Sequence, residues 1–236
     1  MRTLGSTVKR GVAFVAALTL VAGIAVQAMP QHASAATATG AMVRYLNAAP
    51  GSPAVDLYVD GKQVTKKLAF GKSTDFGTMT KGSHDLTVTT VGQPVAKSIL
   101  TLKLNVADGT SYDVVLFGTA AKLQGEEVKV DLTKLAKGMA RIRVVHLAPD
   151  AGNVDVAAKG GKVLFADLKP TQAAKYIDVP AGTVNLEVRP TGKTTIDLAL
   201  KGVKLEAGKV YDIFAIGQVK DKTLAAVELT APAATS

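Results

Sequence analysis

RYLNAAPGSPAVDLYVDG, residues 44–61, sets an arginine, an asparagine, two aspartates, two prolines and two glycines among apolar residues. A second version, RVVHLAPDAGNVDVAAKGG, occupies residues 143–161. Arg44 aligns with Arg143, Asn47 with His146, Pro50 with Pro149, and Val55-Asp56 with Val154-Asp155, all at an offset of 99. The match continues at an offset of 100 through Leu68 and Leu168, Phe76 and Tyr176, Gly82 and Gly182, Leu86 and Leu186, and Val88 and Val188. It returns to 99 at Gly109 and Gly208, Tyr112-Asp113 and Tyr211-Asp212, and Gly118 and Gly217. Solenoid repeats run to roughly 20–50 residues, so a period this long marks duplication of a whole domain.

Each copy reads as all-β. Short runs of Val, Leu, Ile, Tyr and Thr alternate with polar residues and are punctuated by Asp60-Gly61, Lys81-Gly82, Val91-Gly92 and Asp108-Gly109. Strands are expected near residues 42–48, 54–59, 62–68, 73–78, 84–91, 96–106, 111–118 and 126–132. Regular short strands at this spacing predict two tandem immunoglobulin-like β-sandwich domains, at 41–133 and 139–231. TKLAKG, residues 133–138, is the expected linker.

Ahead of these domains, Arg2, Lys9 and Arg10 precede an uncharged apolar run, Gly11 to Met29, and then Pro30 and the small-x-small triplet Ala33-Ser34-Ala35. This is the pattern of a secretory signal peptide, expected at 1–35, with no membrane span after its removal. Lys9-Arg10 is not a twin arginine, and no cysteine is present to carry a lipid. Removing 35 of 236 residues leaves 201 and lowers the net charge from +9 to +6. The lysines are scattered, with little interleaved aromatic content, so no nucleic-acid partner is expected. The absence of cysteine excludes thiol catalysis, and stability must come from apolar burial. The tail LTAPAATS carries neither a sorting signal nor an apolar anchor. A secreted, extracellular or envelope-associated protein is expected.

Strand alternation puts Val43, Tyr45 and Asn47 on the inner face, with Ile142, Val144 and His146 as their counterparts. Asn47 and His146 then read as satisfied polar groups at a strand end, a ligand role for His146 being the alternative. Arg44, Asp56, Arg143 and Asp155 take the opposite parity. If the first two strands pair antiparallel around Pro50, Arg44 faces Asp56 and Arg143 faces Asp155. Such exposed pairs would set register at about 0.2–1 kcal/mol each.

Asp56, Asp60 and Asp75 do not make a calcium loop, which gathers about 6–8 oxygens. AFGKST, residues 69–74, lacks the first glycine of a phosphate loop, since Lys66 stands there. Neither G-x-S-x-G nor H-E-x-x-H occurs, and His84 aligns with Val184. No catalytic, cofactor or metal residues are assigned. The chain has no tryptophan; Tyr45 and Tyr58 are the candidate exposed rings, because the second copy has Val144 and Ala157 there.

The opening motifs, together with LAFGKSTDFGTMTKGSHDLTV at 68–88, resemble the DUF4397 family of exported bacterial domains, often found in tandem. The second copy keeps the His, Pro and Asp of the family's opening pattern and lacks its later Tyr and Asp. The first copy keeps Tyr58, Asp60 and Gly61 but has Asn47 and Gly51 for the His and Asp. The resemblance implies a sandwich in a cell-envelope or extracellular setting and brings no activity with it. The expectation is a non-enzymatic structural or binding module whose partner is a cell-wall polymer or another envelope protein. A carbohydrate-binding module is the alternative, and a hydrolase with an interdomain site ranks behind both. Positions that differ between the copies, Asn47 and His146, Tyr58 and Ala157, Asp60 and Lys159, are where a specific ligand would be sought.

Overall fold

The structure is a computed structural model that describes residues 40–235. The expected signal segment lies outside the described residues. Among those residues, no helix is long and apolar enough to cross a membrane.

The first half contains β1 (Ala41–Asn47), β2 (Val55–Val59), β3 (Lys62–Leu68), β4 (Gly77–Met79), β5 (Gly82–Thr90), β6 (Leu100–Val106), β7 (Ser111–Thr119) and β8 (Lys122–Val130). The second contains β9 (Met139–Leu147), β10 (Val154–Ala158), β11 (Val163–Leu168), β12 (Ile177–Pro180), β13 (Gly182–Pro190), β14 (Leu198–Leu205), β15 (Lys209–Ile216) and β16 (Ala225–Pro232). Each half is a sandwich of two four-stranded sheets. Their orders are β4-β1-β7-β8 and β3-β2-β5-β6, then β12-β9-β15-β16 and β11-β10-β13-β14. The two halves therefore share one topology, as the repeat requires. Neighbouring strands run antiparallel except β1 with β7 and β9 with β15, which are parallel.

Most expected strands appear within a few residues. The strand expected at 73–78 is instead a single bridge between Leu46 and Ser73, followed by short β4. Thr74 causes the break, because its hydroxyl and its N–H both bond to the backbone of Tyr45. The strand expected from 96 begins at Leu100, because Pro94 leads into a 3-10 turn at Val95–Lys97. Asp60 and Gly61, at φ 49° and 76°, form the anticipated β2–β3 hairpin with both central residues left-handed.

Alternation along the strands assigns two cores. In the first sandwich Val43, Tyr45, Tyr112, Val114 and Leu116 pack on Val55, Leu57, Leu86, Val88 and Leu104. The equivalent set in the second includes Ile142, Val144, Tyr211 and Ile213 against Val154, Val156, Leu186 and Val188. The remaining residues of β1, β7, β9 and β15 do not face water. Leu46, Val115, Phe117 and Val128 form a third core with Val145, Leu147, Phe214, Ile216 and Leu229 of the other half. The two central sheets are thus buried on both faces, which is why β7 and β15 read as nearly continuous apolar runs.

The expected Arg44–Asp56 and Arg143–Asp155 pairs do not form. β1 and β2 belong to different sheets, and the loop around Pro50 crosses from one to the other. Val43 and Tyr45 meet Val55 and Leu57 across the core, so the residues between them point away from each other, to opposite outer faces. The same holds for β9 and β10 around Pro149.

Phe214 is fully buried in the core between the halves. Phe214→Ala should lower the unfolding free energy by about 3–5 kcal/mol. Urea unfolding measures this, and a loss under 1 kcal/mol would mean that the face is not packed as described.

Candidate functional site

The arginines of the opening motifs find their partners through the parallel pairings. Arg44 lies in register with Asp113, and Arg143 with Asp212. Both acids belong to the repeated Tyr-Asp. Tyr112 turns inward, and its hydroxyl accepts the Ala107 N–H; Tyr211 does the same for Glu206. The aspartates turn outward, into the seam between the halves. Arg44 Nε donates to Asp113 Oδ1 at 2.5 Å and Nη2 to Oδ2 at 3.2 Å, while Nη1 reaches the Thr230 carbonyl of the other half at 2.8 Å. Arg143 Nε donates to Asp212, whose carboxylate also accepts the Tyr176 hydroxyl. Phe76 and Tyr176 stack on the two guanidinium groups at 4.5 and 4.2 Å. All four charged residues are buried. Burial pushes Asp113 up to about 7, against the pull of Arg44, and the facing Asp212 carboxylate adds to the rise. This cluster serves to join the two halves across the seam.

The other repeated polar residues also serve the backbone. Asp56 accepts N–H groups from Lys67 (2.8 Å) and Gly92 (2.9 Å); Asp155 accepts those of Asp167 (2.8 Å) and Gly192 (3.0 Å). Lys67 and Asp167 sit at φ 53° and 51°, so each aspartate pins a left-handed bulge on an edge strand. These bonds hold both carboxyls below the usual aspartate range. Asn47 accepts the Ala49 N–H and donates to the Leu68 carbonyl at 3.1 Å. His146 Nε2 donates to the Gly152 carbonyl at 2.8 Å, and Nδ1 accepts the Ala148 N–H. An amide and a neutral imidazole thus cap equivalent loops, and burial holds His146 below the ordinary histidine value.

What remains is the first sandwich's β3 flank, where two clefts open on opposite faces of the strand. The outer cleft, about 460 Å³, is lined by Tyr58, Gln63, Lys66, Lys67, Gln93 and Pro94. Tyr58 is half-buried, and Gln63 Nε2 donates to its hydroxyl at 3.2 Å. The second sandwich differs at this place: Ala157 is fully buried beside Glu187, which is ion-paired to Arg189. The inner cleft, about 420 Å³, lies at the open edge of the sandwich between β3 and β4 and contains Tyr45, Asp60, Lys62 and His84. His84 also lines this cleft, and its difference from Val184 was the sequence signal for it. A third cleft of about 380 Å³, at the seam, exposes Asp75 and Glu228 beside Arg44 and Phe76. Burial raises Glu228, but no hydrogen bond joins the two acids to each other or to a nucleophile among the described residues. Among those residues no three His, Cys, Asp or Glu side chains gather as a metal site.

Two outcomes follow from the buried groups. Asp113 binds its proton more tightly folded than unfolded, so its stabilisation is complete below about 3.8 and is lost as pH rises through about 7. Arg44→Leu should cost about 3–5 kcal/mol above that range, where it strands a charge, and distinctly less near pH 5. Urea unfolding at both pH values measures the difference. At the loop cap, His146→Asn should keep the bond from the Ala148 N–H, as Asn47 keeps that from Ala49, and lose the one to Gly152, at a cost of about 1 kcal/mol. His146→Ala should cost about 1–3 kcal/mol in the same measurement.

The family model for the domain of unknown function DUF4397 matches residues 41–157 and 153–236. No match is found among curated proteins. Solved structures align only loosely. A family 26 carbohydrate-binding module of Eubacterium rectale Amy13K, in complex with maltoheptaose, is 9% identical with a TM-score of 0.26, covering 83% of this chain and 97% of that one. The Bacillus anthracis TIE protein is 10% identical at a TM-score of 0.23, covering 76% and 34%. Alignments this loose carry no argument about function. The two family matches together span both sandwiches, and the chain belongs to the DUF4397 family.

Proposed function

We propose that the chain is a non-enzymatic binding module, exported to the cell surface or beyond, whose first sandwich holds an acidic wall polymer in the outer cleft. One observation carries this reading. Tyr58 presents a half-buried ring, oriented by Gln63 and flanked by Lys66 and Lys67, at the position where the second sandwich has a buried alanine. An amphipathic ring held by a neighbour contributes contact area at little entropic cost. Amide groups on Gln63 and Gln93 offer donors and acceptors to hydroxyls, and the lysines favour an anionic chain. Asp56 lines the same cleft, but it is 4% exposed and its oxygens are engaged by backbone N–H groups.

The remaining polar positions support a binding rather than a reacting surface. The repeated charges serve the seam and the bulges; His146 bonds to backbone groups, and His84 Nε2 bonds to the Thr80 carbonyl at 2.8 Å, with the Thr80 hydroxyl farther off at 3.5 Å. The hydrolase reading would need the exposed acids of the seam cleft to act together, and they share no hydrogen-bonded arrangement.

The test is retention of the mature chain on purified cell wall at physiological salt. Tyr58→Ala should reduce retention by about tenfold or more. Lys66→Ala should weaken it most at low salt, because exposed charges are screened as salt rises. Absence of retention by the unaltered chain, or retention indifferent to Tyr58→Ala, would remove the proposal.

A further inference from the structure

The inner cleft brings together three residues that are far apart in sequence and each different in the second copy. Tyr45, Asp60 and His84 correspond to Val144, Lys159 and Val184. A residue needed only for folding would be expected in both sandwiches, as Arg44, Asp56 and Tyr112 are. In the second sandwich Val144 is part of the core and Val184 packs against it. The first sandwich places a phenol, a carboxylate and an imidazole there instead, along an apolar wall that includes Val59, Val64 and Met79.

The polar groups are held in place. His84 Nδ1 bonds to Asp60 Oδ2 at 2.7 Å and Nε2 to the Thr80 carbonyl at 2.8 Å. Both partners are acceptors, and the bond to Asp60 raises the ring's pKa above the ordinary value. Asp60 Oδ1 also accepts the Asp85 N–H at 2.9 Å, and the residue occupies a left-handed position at φ 49° in the hairpin turn. Its side chain is still about half exposed, at 53%. Tyr45, expected as an exposed ring, is instead 7% exposed; its hydroxyl has no acceptor among the described residues, and burial and then the Asp60 carboxylate push its pKa up to about 12. Lys62, on the far side of the same turn, adds an ammonium to the cleft.

We propose that this cleft binds a small zwitterion with an apolar side chain, an α-amino acid or short peptide with free ends. Asp60 accepts from the ligand ammonium, Lys62 and the Tyr45 hydroxyl donate to its carboxylate, and the side chain lies along Val59, Val64 and Met79. The alternatives match less well. A simple cation meets Lys62, a simple anion meets Asp60, and an apolar molecule covers Asp60 and the Tyr45 hydroxyl without pairing them. The site is distinct from the Tyr58 cleft, which opens on the other face of β3, so each can fail alone.

Calorimetric titration of the full mature chain tests the assignment, with leucine and leucyl-leucine as probes and N-acetyl-leucine and leucinamide as single-charge controls. The free zwitterions should bind and each capped form should bind about tenfold more weakly. Asp60→Asn, which keeps a side chain suited to a left-handed turn, should remove the preference for a free amine. Tyr45→Val, the second copy's residue, should abolish binding while a thermal melt shows the fold retained. No heat from either zwitterion at millimolar concentration, equal binding of capped and free forms, or binding unchanged in both variants would overturn the proposal.

Discussion

The arrangement of the molecule depends on two buried arginine–aspartate pairs that face each other across the seam. Each pair follows from a parallel contact between the first and seventh strands of a sandwich. Each therefore lies on the sheet face that the other sandwich covers. Charges at such a place must be matched wherever they are buried, since a single uncompensated one is costly. Stability is a weak argument for such pairs, because well-packed apolar residues often do as well. Their geometric demand is stronger. Arg44 reaches the carbonyl of Thr230 in the other half, so the surrounding apolar residues have one acceptable register. Phe76 and Tyr176 cover the guanidinium groups at equivalent points of the repeat.

Much of the fold was legible from particular residues. The alternation of Val43, Tyr45 and Asn47 located the inner face, and Asp60-Gly61 located a hairpin. The Tyr-Asp repeat was visible as a match, yet its acid could not be joined to Arg44, because sequence periodicity says which face a residue takes and not which strand lies beside it. The nearest acid of suitable parity was Asp56, and it serves a bulge on the other sheet instead. Charged side chains on the outward parity also suggested water, whereas that face is a buried seam. Only the apolar partners on the same parity, such as Val115 and Phe117, pointed the other way.

The candidate sites were legible in a different manner. Two copies of one fold act as controls for each other. Residues shared by both, Arg44 and Arg143 or Asp56 and Asp155, have backbone or seam roles in both. Differences divide further. Asn47 and His146 differ in chemistry yet both accept the N–H two residues on, and each donates to a different carbonyl of its own sandwich, Leu68 or Gly152, so both close the loop. Tyr45, Tyr58, Asp60 and His84 differ without an equivalent contact in the other sandwich, and they flank one edge strand. Only three-dimensional structure brings His84 to Asp60, which lies 24 residues away.

The hydrogen bond from Arg44 to Thr230 spans 186 positions, joining the first strand to the last. Leu229, beside it, belongs to the apolar seam. A chain that emerges in order therefore holds its first sandwich with part of one buried face still open until β16 arrives. Contacts of such long range are slow to form, and the exposed face meanwhile offers valines and a phenylalanine to neighbouring molecules. A chain interrupted before residue 225 would lack β16, and with it Leu229 and the Thr230 carbonyl, and so would leave that part of the seam face uncovered and adhesive.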